Sequence, residues 1–131
     1  VLTARIAAEV VGEPRHRDQN FTAALLHDLG RILIAQHLPD HDRQIERIAA
    51  LPCLERRLDP EASRLLDMHC RVGAYLLGIW GLPAEIVESV LFHHRPSAVA
   101  DDRFGPVGVV HVADCLASIL QNPSGAPGDE A

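Results

Sequence analysis

From Val1 to Gln121 apolar side chains return every three or four positions and almost never alternate, a pattern that suits helices and offers little to a half-buried strand. The chain is therefore expected to be all-α, a compact multi-helix bundle. Its 131 residues with 47% hydrophobic content suffice for one core. "VLTARIAAEVV" (1–11) reads as a first amphipathic helix, stopped by Gly12 and Pro14 and followed by a polar loop. A second helix is expected to start at Asp18 as N-cap, to carry Phe21, Leu25, Leu29 and Ile32 on one apolar face, and to end near Pro39.

A polar, Arg-rich helix from about Asp40 to Ala50 ends at "LPCL". The next start is strongly signalled, with Asp59 as N-cap, Pro60 at the first helical position and Glu61 in the first turn. That helix should run to Trp80 and stop at Gly81. Pro83 opens another, "PAEIVESVLFHH", which Arg95-Pro96 ends because a residue before proline avoids the helical region. Residues 97–105 read as a loop, Pro106 to Gln121 as the last helix, and 122–131 as a flexible Pro- and Gly-rich tail. One domain, 1–121, is expected, with no internal repeat.

Charge and cysteine content narrow the function classes. Twelve basic against eighteen acidic residues give a net charge of −6, with no basic run to follow a phosphate backbone, so nucleic acid is not an expected partner. Cys53, Cys70 and Cys115 are widely spaced and contain no CxxC pair, which fits a reducing cytoplasm rather than a disulfide framework or zinc knuckle. Polar residues interrupt every apolar stretch well short of the ~18 needed to span a bilayer. No nucleophile elbow, Walker loop or dinucleotide fingerprint occurs.

The stretch "AALLHDLGRILIA" (23–35) sets an imidazole and a carboxylate, His27 and Asp28, among aliphatic side chains. Burying such groups costs free energy unless both find partners. Candidates lie on three other expected helices: His69 four residues before Gly73, which would let another helix approach closely; His93-His94 at a helix end; and His111 with Asp114, three apart on one face. His93 and His94 are also favoured there simply by the helix dipole. Imidazole with carboxylate suits Fe, Mn, Zn or Ni, and such an ion lowers the pKa of a bound water and neutralises phosphate. His16, His37 and His41 sit in polar, loop-like surroundings and mark no site, and Asp101 and Asp102 read as solvated.

The order "LLHDLGR", then "HCRVGAYLLGIWGLPAEIVESVLFHHRP", then "VHVADCLA" resembles the HDOD family, a branch of the HD superfamily, over roughly residues 1 to 120. The resemblance implies a helical bundle whose ligands in catalytic HD relatives would correspond to His27, Asp28, His69, His93, His94 and Asp114. Three departures weigh against catalysis. The first histidine of the HD pattern would fall before Val1. Arg95-Pro96 follows the histidine pair where the related HD-GYP cyclic di-GMP phosphodiesterases carry Glu and later Gly-Tyr-Pro. Arg31 replaces the lysine usual after the HDxG of many active enzymes, and the two are not equivalent phosphate binders.

HDOD proteins are similar to one another in being bacterial signalling or regulatory modules, often joined to receiver, kinase, EAL or GGDEF domains. A full unit carries a further helical region, so this chain, whose one methionine is Met68, is expected to be the C-terminal, HD-like half. The leading expectation is a non-catalytic signalling module with a vestigial or sensing His/Asp site, partnered by other signalling domains or proteins and able to form a homodimer through uncovered apolar surface. The alternative is a metal-dependent phosphohydrolase acting on a nucleotide or cyclic dinucleotide, with Arg31 as a phosphate contact.

Overall fold

In the computed structural model, which describes residues 1–10, 14–51, 58–99 and 105–121, the described residues form helices without a strand. The helices are α1 (Leu2–Val10), α2 (Pro14–Leu26), α3 (Leu29–His37), α4 (Pro39–Ala49), α5 (Pro60–Ile79), α6 (Ala84–Phe92) and α7 (Pro106–Gln121), with a 3₁₀ turn at Pro96–Ala98. The expected α5 start is present as read: the Asp59 carboxylate accepts from the backbone N–H of Glu61 at 2.9 Å and of Ala62 at 3.4 Å. Trp80 is its C-cap and Gly81 follows at φ 74°, the left-handed conformation that glycine adopts without a Cβ penalty. The last helix has its expected bounds. Pro52–Leu54, Asp101, Asp102 and the tail 122–131 lie outside the described residues.

Three expectations about the first third of the chain are corrected. The polar stretch before Asp18 is helical, α2 beginning at Pro14. The single helix expected through residues 18–38 is two helices, broken at His27 and Asp28. The His27 ring Nδ1–H donates to the Ala24 carbonyl at 2.6 Å, the oxygen that the Asp28 N–H would take in a continuous helix. The helix restarts with the Arg31 N–H on the Asp28 carbonyl at 2.9 Å. The expected apolar face turns outward: Phe21, Leu25 and Ile32 are 38%, 48% and 57% exposed, and of the four only Leu29 packs against the core. The inward face is instead Asn20, Ala23, Ala24 and His27, then Gly30 and Ile34.

Small residues set how the helices meet. α1 lies against α2 and α7 through Ala4 and Ala7, which bury completely beside Ala23, Ala24 and Ala113. Leu77, Ile86, Val90, Val109 and Val110 complete this core from α5, α6 and α7, while Ile34, Ile45 and Leu66 form a second cluster joining α3, α4 and α5. α3 crosses α5 at Gly30 and Gly73, where a Cβ on Gly30 would strike the His69 carbonyl and come within 2.8 Å of the Gly73 backbone nitrogen. Backbone meets backbone there, and rigid backbone cannot yield as a side-chain tip can.

Gly30→Ala should therefore destabilise the chain by ~3 kcal/mol or more, beyond the ordinary cost of overpacking. Gly78→Ala on the same helix, where an added Cβ meets nothing within 4 Å, should be neutral or stabilising. Urea unfolding midpoints of the two variants check this.

Candidate functional site

Asp28 occupies the N-cap of α3 at φ −99°, ψ 11°, in the sparsely populated bridge region, yet its side chain makes no cap hydrogen bond. An aspartate at that position ordinarily spends its carboxylate on the first free N–H groups of the helix. Here the two oxygens face imidazoles instead, Oδ2 at 3.3 Å from His27 Nε2 and Oδ1 at 3.3 Å from His69 Nε2. From α7, Asp114 Oδ1 approaches His27 Nε2, also at 3.3 Å. The Gly30–Gly73 crossing makes the Asp28–His69 meeting geometrically accessible, since both pairs lie within a turn of it.

The histidines stack into one cluster at the junction of α2, α5, α6 and α7. His69 and His93 are fully buried and His27 nearly so. The His93 ring lies 5.1 Å from His27, 5.5 Å from His69 and 4.1 Å from His94, centroid to centroid, and His94 lies 5.1 Å from His69. Backbone contacts fix the rings: His93 Nδ1–H donates to the Val90 carbonyl at 2.8 Å, and His111 Nδ1–H to the His93 carbonyl at 2.6 Å. His111 thus buttresses the cluster from α7. Nε2 of His27, Nε2 of His93 and Nδ1 of His69 are buried without a hydrogen bond, the 3.3 Å carboxylate contacts of His27 not meeting hydrogen-bond geometry.

All six residues singled out as metal candidates are thereby brought to one place: His27, Asp28, His69, His93, His94 and Asp114. Two overlapping sets have donor atoms within 4.8 Å of one another, His27–Asp28–His93 and His69–Cys70–His93–His94. This His/Cys/Asp cluster is compatible with a metal site: bare ring nitrogens held by backbone hydrogen bonds at the opposite edge are the arrangement imidazole ligands adopt. Cys70 was not legible as a member. Its one sequence signal is adjacency to His69 on a buried helix. His16, His37 and His41 lie on α2, α3 and α4 rather than in loops, and none joins the cluster.

A cleft of about 570 Å³ opens over the cluster, lined by Asp28, Arg31, His69, His94 and Asp114, with Thr3 from α1 and Glu46 from α4 at its sides. A larger groove of about 800 Å³ between α1 and α2 carries no histidine and lies apart from this chemistry. Arg31 is turned toward α4, its Nη2 at 3.8 Å from Asp42 and 3.9 Å from Glu46. Arg95 is likewise engaged, at 2.8 Å from Asp67.

The electrostatics follow from these distances. Burial disfavours the His27 imidazolium, but Asp114 and Asp28 outweigh it and raise its pKa to about 10. Asp28, despite its own burial, is held below the usual carboxylate range by His27 and His69, and Asp114 is lowered by His27. His93 goes the other way, pushed down to about 4 by burial and by the neighbouring imidazoles of His27 and His69.

His93 therefore takes up a proton in the unfolded chain at a pH where the folded chain refuses it. Stability of the metal-free protein should be lost as pH falls from about 6.5 to about 4, before carboxylate protonation adds its own loss. His93→Asn, whose amide can still donate to the Val90 carbonyl, should flatten that decline in urea midpoints taken across this window. An equally steep decline in the variant would contradict the assignment to His93.

Comparison with known proteins agrees with the family read from the sequence, over a span shorter than the expected 1–120 that leaves "VHVADCLA" outside it. The sequence model of the HDOD domain matches residues 1–96. An uncharacterized protein of Treponema pallidum (strain Nichols) is 26% identical over 91 residues, which cover 67% of this chain. The chain spans 17% of the length of that relative. No solved structure gives a significant match. With the domain match reaching from Val1 through the helices that carry His27, Asp28, His69, His93 and His94, the chain belongs to the HDOD domain family.

Proposed function

We propose that this chain is a regulatory HDOD module that keeps its HD-type cluster to bind a divalent transition metal, without turning over phosphate. One observation carries the reading: Arg31 faces Asp42 and Glu46 and Arg95 faces Asp67, leaving Asp28 and Asp114 as the carboxylates that face the histidines in the cleft. An acidic cleft attracts a cation and repels a phosphodiester. Arg31, the candidate phosphate contact, would have to leave Asp42 and Glu46 to serve as one.

His27, Asp28, His69 and His93 are the residues that would hold the ion, with His94 and Asp114 beside them. The buried Nε2 atoms of His27 and His93 and the Nδ1 of His69, none of them hydrogen-bonded, fit the role. A bound Fe, Mn, Zn or Ni ion supplies positive charge that ties α2, α3, α5 and α6 together, so occupancy stabilises the folded bundle. The chain's own residues do the rest: the backbone carbonyls of Ala24 and Val90 orient the rings, and α7 sets Asp114 and His111 against them.

A regulatory module acts through contact with another domain or protein, and apolar surface is available for it. Tyr75 and Ile79, one turn apart on α5, and Trp80 beside them are 74%, 64% and 60% exposed. The small share of the Treponema relative covered by this domain agrees with a unit that works inside longer chains.

Protein purified without chelator or metal-affinity tag should contain near-stoichiometric transition metal, and Asp28→Ala should lose it while remaining helical. Metal-loaded protein should hydrolyse a generic phosphodiester no faster than Asp28→Ala. Folded wild-type protein free of metal overturns the binding reading. Asp28-dependent hydrolysis instead favours the phosphohydrolase alternative.

A further inference from the structure

The cluster contains a softer donor that the proposal above does not use. Cys70 is 1% exposed, and its Sγ lies 3.6 Å from His69 Nε2 and 3.7 Å from His93 Nδ1. One donor atom from each of His69, Cys70, His93 and His94 falls within 4.8 Å of the others. A tetrahedral zinc ion with ordinary Zn–S and Zn–N bonds holds sulfur and nitrogen about 3.6 Å apart. The two measured separations, which are also within reach of thiol–imidazole hydrogen bonds, match that value before any ion is present.

Resting on the metal-binding reading, we propose that the cluster offers two alternative cation seats sharing His93, and that Cys70 makes one of them selective for zinc. The first seat is His27–Asp28–His93, with a carboxylate oxygen and imidazoles, suited to Mn or Fe. The second is His69–Cys70–His93–His94, where a thiolate favours zinc. Because His93 is common to both, an ion in one seat denies that ligand to the other, and the site responds to which metal is available.

Occupying the second seat breaks the Cys70 Sγ–H bond. The proton leaves to solvent, and the electron pair stays on sulfur as the donor to zinc. The thiol gives up its 3.2 Å contact with the Leu66 carbonyl, an oxygen that still accepts the Cys70 backbone N–H within α5. His93 exchanges its hydrogen bond to Val90 for the ion, and its ring proton sits on Nε2.

Cobalt(II) substitution of the purified full chain tests this, alongside Cys70→Ala and Cys70→Ser. Wild-type protein should show a near-ultraviolet thiolate-to-cobalt charge-transfer band with tetrahedral visible bands. Both variants should lose the near-ultraviolet band, and their zinc affinity should fall about tenfold or more while manganese affinity stays within about twofold. Circular dichroism of the two variants separates ligand loss from unfolding, and serine keeps the side-chain volume. Cobalt bound without a thiolate band, or a band that persists in both variants, overturns the role of Cys70 while leaving the metal site standing. Failure to bind cobalt, zinc and manganese alike overturns both.

Discussion

The meeting of α3 and α5 at Gly30 and Gly73 is the contact on which the site depends. A Cβ on Gly30 would collide with the His69 carbonyl, the backbone of the residue whose ring faces Asp28. Helices separated by ordinary side chains run about 8–10 Å apart. Any such spacer at this crossing would draw the α3 N-terminus, and with it Asp28, away from α5. The absence of two side chains thus lets a carboxylate at one helix start reach an imidazole in the middle of another.

The second constraint is chemical. Three imidazoles buried side by side cannot all be charged, and the environment sorts them: His27 between Asp28 and Asp114 favours the proton, while His93, enclosed by rings, refuses it. Backbone carbonyls fix the tautomers at the outer edges, so the inner edges of His27 and His93 hold bare or ion-paired nitrogens. A cluster so arranged contains orphaned polar atoms that a purely structural core would avoid. A cation relieves that cost by giving the nitrogens a common partner.

Much of this was legible in the sequence, and the exceptions have physical causes. The all-helical class, the Asp59 cap, the Gly81 stop and the role of Gly73 follow from local chemistry that tertiary structure did not override. The break at residues 27–28 was not readable, because a histidine side chain competing for the Ala24 carbonyl is a matter of rotamer rather than pattern. Phe21, Leu25 and Ile32, apolar at helical spacing, face outward because the small residues Ala23, Ala24 and Gly30 take the inward positions. The six candidate ligands could be named from type and spacing, but their convergence required the crossing of α3 and α5. Cys70 went unassigned because neighbours in sequence on a helix point about 100° apart, and only the fold turns both donors inward.

Crystals of the protein as purified, with anomalous diffraction recorded at the absorption edges of manganese, iron, nickel and zinc, test the cation site most directly. An anomalous peak beside His93, bounded either by His27 and Asp28 or by His69, Cys70 and His94, is the expected result. Well-ordered density for the whole cluster with no anomalous scatterer, and with His27 Nε2 hydrogen-bonded to Asp28 or Asp114, would contradict it and leave the histidines as a self-satisfied core.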